Sequence, residues 1–147
     1  MDLNSAAVEA TAAQIVASGG EATGRVCDVS NESSVQDSVQ ACVARYGNLY
    51  GLVNMAGILR FDDTQELQTD HWQKVIDINL TGTMFLCRAA LPHLVQTKGS
   101  IVNAASTAAL SGLPCGLAYS ASKGGVLAMT RSIAVEYAKR GVRANCV

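Results

Sequence analysis

The sequence predicts an α/β fold built on a parallel sheet. Two observations predict it. Short apolar runs alternate along the chain with segments of helical period. Strand–helix–strand units then recur, which requires right-handed crossovers that place helices on both faces of the sheet.

The elements follow in order. Asn4 or Ser5 caps a first helix, in which Val8, Ala12, Ile15 and Val16 fall at i, i+4, i+7 and i+8 on one face. Gly19-Gly20 ends it. A short strand is expected over 24–29. Ser30 or Asn31 caps a second helix with Val35, Val39, Cys42, Val43 and Tyr46 on one stripe, stopped by Gly47. Residues 49–53 read as a buried strand running into Asn54-Met55-Ala56-Gly57, and polar residues 62–68 as a loop. Thr69 caps a long helix through Leu94, with Pro92 near its end. A strand over 100–105, a Gly/Pro-containing connection over 111–116, a helix over 118–140 and a strand from 142 complete the pattern.

Composition bounds the function. The chain has 147 residues, 49% apolar and 16% charged, which suits one soluble domain or part of one and rules out disorder. Eleven basic and twelve acidic side chains give a net charge of −1 without a Lys/Arg cluster, so neither nucleic acid nor an anionic membrane is expected as a main partner. No apolar run approaches membrane-spanning length. Met1-Asp2-Leu3-Asn4 lacks the basic start of a secretory signal, so a cytoplasmic location is expected. The five cysteines (Cys27, Cys42, Cys87, Cys115, Cys146) form no CxxC pair and read as reduced thiols. No metal is expected: His71 and His93 lie far apart, each beside a helix end, and read as capping or surface residues. Asp62-Asp63 reads as a solvated loop, and Trp72, Val75, Ile76 and Leu80 as core.

The chemistry concentrates near Tyr119 and Lys123. Their i, i+4 spacing near a helix start puts both on one face. A free phenol titrates near pH ~10, and holding it as an anion near pH ~7 takes on the order of 4 kcal/mol. An ammonium at about 4 Å supplies a gross term of that size at an effective dielectric of about 20. Such a pair can donate and accept the proton of an alcohol/carbonyl couple. Ser106 ends the run Ile101-Val102-Asn103-Ala104-Ala105, at the carboxyl end of a strand, where α/β proteins build sites and where a hydroxyl can hydrogen-bond a substrate oxygen. Gly124-Gly125 inside a helix costs about 1 kcal/mol each, which implies a close approach by a neighbouring helix or a ligand. Asn79 is a poor residue for a helix interior and, with Gly82 after it, predicts a local distortion that frees a carbonyl or amide.

Taken together, Asn54-Met55-Ala56-Gly57, Asn79, Ser106, Tyr119-Ser120-Ala121-Ser122-Lys123 and Val142-Arg143-Ala144-Asn145-Cys146-Val147 resemble the short-chain dehydrogenase/reductase family, in order and separation, from Asp2 to Val147. The resemblance implies a Rossmann-type doubly wound sheet and a nicotinamide cofactor. It implies that Tyr119 is the general acid/base and that Lys123 favours the phenolate and holds the nicotinamide ribose. Ser106 would polarise the reacting oxygen, and Asn79 would hold a water that links Lys123 to solvent. Asp2, in the position of an acidic residue ending the second strand, would bind the adenosine ribose hydroxyls and repel a 2′-phosphate, which favours NAD without excluding NADP. Asp28-Val29 resembles the adenine-contacting turn, and Asn54, Ala56 and Gly57 the family's cofactor-binding N-x-A-G turn.

Two departures bear on this. The family's glycine-rich turn after its first strand is absent from residues 1–147, and so is the Pro-Gly turn that follows the last motif. The expectation is therefore a single, partial Rossmann domain over residues 1–147, lacking the first and last strands. Residues 1–147 alone are then expected to leave strand edges uncovered, to fold marginally and to bind cofactor poorly. The helix over 118–140 carries Val126, Leu127, Met129, Ile133, Ala134, Tyr137 and Ala138, a stripe too wide for one buried face. The resemblance implies that this helix and the one over 72–94 form a homodimer or homotetramer, which fits such a stripe. The favoured function is NAD-linked interconversion of a small secondary alcohol and its ketone. The alternatives are a non-catalytic binding or assembly module, and an acyl-carrier-protein-linked 3-oxoacyl reductase.

Overall fold

Side-chain caps and glycines set the element ends. In the computed structural model, which describes residues 1–147, Asn4 Oδ1 accepts the Ala7 N–H and opens α1 (Ser5–Ala17). Asn31 Oδ1 does the same for Ser34 at the start of α2 (Glu32–Tyr46), and Gly47, at φ 79°, ends it. Of the two candidate caps at each helix, the asparagine is the one used.

Three strands form the sheet: β1 (Gly51–Asn54), β2 (Ser100–Asn103) and β3 (Arg143–Cys146). They pair in parallel in the order β1-β2-β3, with Asn54 opposite Asn103 and Asn103 opposite Cys146. This is the parallel α/β sheet that the alternation predicts, in the Rossmann-like form that the resemblance implies. The outer edge of β1 has no strand partner, and Val53 on that strand is 65% exposed.

The helix expected over 69–94 is three pieces: α3 (Thr69–Ile76), a π turn over Asp77–Thr81, and α4 (Gly82–Thr97). The distortion expected at Asn79 is this π turn. Thr69 is the first helical residue and not the cap; Gln68 holds the cap position without a side-chain bond. A short helix, α5 (Ala108–Ser111), lies between β2 and α6 (Leu117–Tyr137), where no helix was expected. A 3-10 turn over Ala138–Arg140 and Gly141, at φ 81°, lead into β3.

Helices α4 and α6 pack over the strands, α4 against β1 and β2 and α6 against β3, and α2 packs on α4. The core between them joins Leu52, Ile101 and Val142 to Val35, Val39, Leu86, Leu94 and Ile133. Gly125 explains the glycine pair in α6: a Cβ there would meet Leu80 Cδ2 of the π turn at 2.7 Å, so the two backbones can approach. Gly124 meets nothing within 4 Å.

Two expectations are corrected. The strand over 24–29 reduces to one parallel bridge, Asp2 to Val26, because Asp2 is its only strand-like neighbour; the Asp2 N–H donates to Arg25 O and the Cys27 N–H to Asp2 O. The apolar face of α1 is buried only at Val8, which packs against Gly24. Ile15 and Val16 are 44% and 54% exposed, since a two-residue bridge offers no sheet surface beneath that end of the helix.

Candidate active site

Lys123 is the centre of the site. It lies on α6 and is 4% exposed, yet it carries an ammonium group. The chain compensates this burial with one short bond: Nζ donates to the Ala104 carbonyl at 2.6 Å, just beyond the end of β2. Burial lowers the Lys123 pKa below the ordinary 10.5. The cost of the buried charge is thus felt in full below the folded value, and stability returns as pH rises towards 10.5. Nζ stands 5.7 Å from the centre of the Tyr119 ring, one turn earlier on the same helix face.

Two further predicted residues converge on Lys123. A Cβ added to Gly57 would lie 3.2 Å from Asn79 Oδ1 and 3.6 Å from Lys123 Nζ, so the turn after β1 comes up against both. Asn79, fully buried in the π turn, clamps that turn twice: Oδ1 accepts the Ile58 N–H at 2.8 Å and Nδ2 donates to Ile58 O at 2.9 Å. Nδ2 also reaches Ser122 Oγ at 3.1 Å, and the Asn79 carbonyl accepts from Thr83 Oγ1 at 2.7 Å. The π turn is what swings this amide towards α6.

Ser106 lies two residues past the carbonyl that holds Lys123. Its Oγ accepts the Ala108 N–H at 3.1 Å, the first bond of α5. That bond uses a lone pair and leaves the hydroxyl proton free to donate.

Of the residues predicted to bind cofactor, Asp2, Asp28, Val29, Asn54, Ala56 and Gly57 border one cavity of about 470 Å³, whereas Tyr119 and Lys123 are not in its lining. The Asp2 backbone is fixed by the bridge to Val26, and its Oδ1 accepts the Asn4 N–H at 3.0 Å. Arg25, next to it along the bridge, turns its side chain away to Ser38 Oγ. Asp28 Oδ1 takes both the N–H and the hydroxyl of Ser30, which closes a turn. Asn54 is 4% exposed, and its buried Oδ1 has no partner.

A family model described as short chain dehydrogenase matches residues 1–147, the whole chain. The chain belongs to the short-chain dehydrogenase family. It is 39% identical over 148 aligned residues to a D-threitol dehydrogenase of Mycolicibacterium smegmatis, covering 100% of this chain and 57% of that protein. It is also 39% identical over 146 residues to a 3-oxoacyl-[acyl-carrier-protein] reductase of Synechocystis, covering 98% of this chain and 59% of that one. Among solved structures, an NAD+-bound xylitol dehydrogenase superposes with a TM-score of 0.95 at 34% identity, over 99% of this chain and 56% of that chain. The chain thus spans somewhat more than half the length of these relatives. No helix is long and apolar enough to cross a membrane.

In this short-chain dehydrogenase chain, sequence reasoning missed a buried polar ladder below the site. Asn54 Nδ2 donates to Asn103 Oδ1 at 2.8 Å, Asn103 Nδ2 to Thr130 Oγ1 at 2.9 Å, and Thr130 Oγ1 to Val126 O at 2.7 Å. The ladder ties β1, β2 and α6 together. Its signal was present: an asparagine inside the apolar run Ile101-Val102-Asn103 needs a buried partner. Cys87 abuts the ladder, with Sγ 3.5 Å from Asn54 Nδ2 and 3.7 Å from Asn103 Oδ1. Burial pushes its pKa up from 9.0 to about 11, against smaller lowering by Asn103 and Asn54. Cys87 should therefore be the slowest thiol to alkylate with iodoacetamide at pH ~8, and exposed Cys115 the fastest. Peptide mass mapping over time checks this order; early labelling at Cys87 in the folded chain contradicts it.

His71 and Asp62 also read differently here. Neither is a free surface residue: His71 Nδ1 lies 3.0 Å from Asp62 Oδ1, and the two side chains are 29% and 20% exposed. The fold brings α3 beside the loop, a pairing that local sequence does not encode.

Proposed function

We propose that residues 1–147 carry the cofactor-binding and proton-transfer machinery of a nicotinamide-dependent oxidoreductase that interconverts a secondary alcohol and its ketone. The observation that carries this is the buried Lys123 ammonium, held on Ala104 O, over the Tyr119 ring and beside Gly57. A surface pair would have no reason to bury a charge at the carboxyl end of a parallel strand.

The residues present fit a nicotinamide dinucleotide. Asn54 Oδ1 is a buried acceptor awaiting a donor, and the cavity of about 470 Å³ brings Asp2, Asp28, Val29, Ala56 and Gly57 to one wall. When bound, the cofactor supplies the two-electron acceptor or donor for hydride transfer. Asp2 would accept from the adenosine ribose hydroxyls, and its charge opposes a 2′-phosphate, which favours NAD over NADP. Asp28 would accept from the adenine amino group. Lys123 would hold the nicotinamide ribose.

The proton chemistry belongs to the chain. Tyr119 takes the hydroxyl proton as the alcohol is oxidised and returns it to the oxygen on reduction. Lys123 places its ammonium over the Tyr119 ring, 5.7 Å from the ring centre. Ser106, with its acceptor side occupied by Ala108, donates to the reacting oxygen and orients it. Asn79 would anchor a water on the path from Lys123 to solvent.

A homodimer or homotetramer through α4 and α6 fits the same reading. Between these helices runs an apolar groove of about 560 Å³, lined in part by Leu91, Pro92, Val95, Met129 and Tyr137.

The 3-oxoacyl reductase reading is favoured by the 39% identity to the Synechocystis protein. Asp2 separates the two, because a phosphorylated cofactor would place like charges together. The test is reduced-nicotinamide absorbance, in the protein carrying residues 1–147 with any flanking sequence, over a panel of secondary alcohols and 3-oxoacyl thioesters. NAD-linked alcohol oxidation is expected. NADP-linked thioester reduction would transfer the assignment to the reductase, and no turnover with either would leave the binding-module reading.

A further inference from the structure

The cluster of Arg60, Asp62 and His71 plays no part in the chemistry above. Arg60 Nη2 lies 3.0 Å from His71 Nε2, and His71 Nδ1 lies 3.0 Å from Asp62 Oδ1. A guanidinium only donates, so Nε2 accepts from Arg60 and the ring proton sits on Nδ1, where it donates to Asp62. Arg60 Nε also stands 3.9 Å from Asp62 Oδ2. The loop after the β1 turn is thereby pinned onto α3 by side chains.

The pinned loop makes one further bond. The Asp62 main-chain N–H donates to the Cys115 carbonyl at 2.8 Å. Cys115 has φ 56°, a left-handed conformation that is unfavourable for a non-glycine residue and persists only where its surroundings hold it. It lies in the 112–116 connector, which joins α5 to α6 and ends three residues before Tyr119. The connector and its flanks carry the apolar residues Leu113, Pro114 and Leu117, of which Leu117 is 43% exposed.

We propose that His71 is a positioning residue: through Asp62 it holds the 112–116 connector, and so sets the apolar wall beside Tyr119 on which the substrate's carbon skeleton rests. The substrate side of this proposal rests on the oxidoreductase reading; the mechanical link from His71 to Cys115 does not. Removing the imidazole frees Asp62, the Asp62–Cys115 bond opens more often, and the wall loses its fixed place. The reacting groups on α6 and in the segment after β2 are held by other bonds and stay where they are.

Amide hydrogen exchange at Asp62 tests the link, with the Ala104 amide, bonded to Asn54 O, as an internal control. His71→Ala should speed Asp62 exchange at least tenfold and leave Ala104 unchanged. Asp62→Ala keeps the main-chain N–H, removes the acceptor, and should do the same to the amide at 62. His71→Asn can still donate from the Nδ1 position and should restore most of the protection. In turnover, His71→Ala should raise KM several-fold with kcat within about twofold of wild type, and His71→Asn should reverse the rise. Unchanged exchange at Asp62 in both alanine variants overturns the link. An unchanged KM, in a protein whose turnover depends on Tyr119, overturns the positioning role. If the wild type turns over no nicotinamide-linked substrate, the oxidoreductase reading fails with it, and the exchange result alone decides the link.

Discussion

Tyr119→Phe should lower turnover by about 10²–10⁴-fold, the range that a positioned acid/base contributes, with cofactor affinity and melting temperature near wild type. The substitution removes one oxygen and keeps the ring. The ring is what faces Lys123 Nζ at 5.7 Å, and Lys123 itself is fixed by Ala104 O at 2.6 Å, a bond that the phenol does not make. The tyrosine carbonyl still accepts from Ser122 Oγ at 2.7 Å. Nothing in the packing therefore collapses, and a loss of rate reports the missing proton carrier alone. The effect should fall on kcat and kcat/KM together, as for a group that acts in the transition state. Turnover of Tyr119→Phe at the wild-type rate would remove the acid/base role and with it the reaction. A rate loss accompanied by a large fall in melting temperature would mean that the hydroxyl is structural.

Local chemistry made part of this arrangement legible in the sequence. Tyr119 and Lys123 share a face because four residues make about one helical turn. Asn79 announced a distortion because asparagine fits helix interiors badly, and the π turn is that distortion. Asn4 and Asn31 announced helix starts because their side chains cap. What stayed hidden depends on contacts between distant segments. Asp62 looked solvated because its partners, His71 on α3 and the Cys115 carbonyl before α6, come together only in the folded chain. Ile15 and Val16 have the helical spacing of a buried face, yet spacing says nothing about whether a sheet lies beneath them. The ladder from Asn54 to Thr130 crosses β1, β2 and α6, and no single element's pattern contains it.

Gly82→Val should destabilise the fold by roughly 3 kcal/mol, a large part of the stability of a small domain. Gly82 reads locally as a flaw at the start of α4, at φ −62°, a conformation any residue adopts. By helix propensity alone, alanine there would gain about 1 kcal/mol. The neighbours reverse the sign: a Cβ at Gly82 would lie 2.8 Å from the Val29 carbonyl, and 2.9 and 3.0 Å from Val29 Cγ2 and Cβ. A carbonyl cannot rotate aside as a side-chain tip can, so the 28–29 turn or α4 itself must move. Valine adds two methyl groups to that collision and stiffens χ1 within the helix. Gly82→Ala is expected to lie between, with overpacking of about 1–3 kcal/mol offset in part by propensity. The displaced turn carries Asp28 and Val29, so under the proposed cofactor site both variants should also weaken binding of the nicotinamide cofactor, the valine more. Urea unfolding midpoints and NAD titrations of the two variants measure both effects. Gly82→Ala more stable than wild type would show that the contact with Val29 yields freely and that α4 does not hold the turn; unchanged NAD affinity despite lost stability would remove Asp28 and Val29 from the cofactor site.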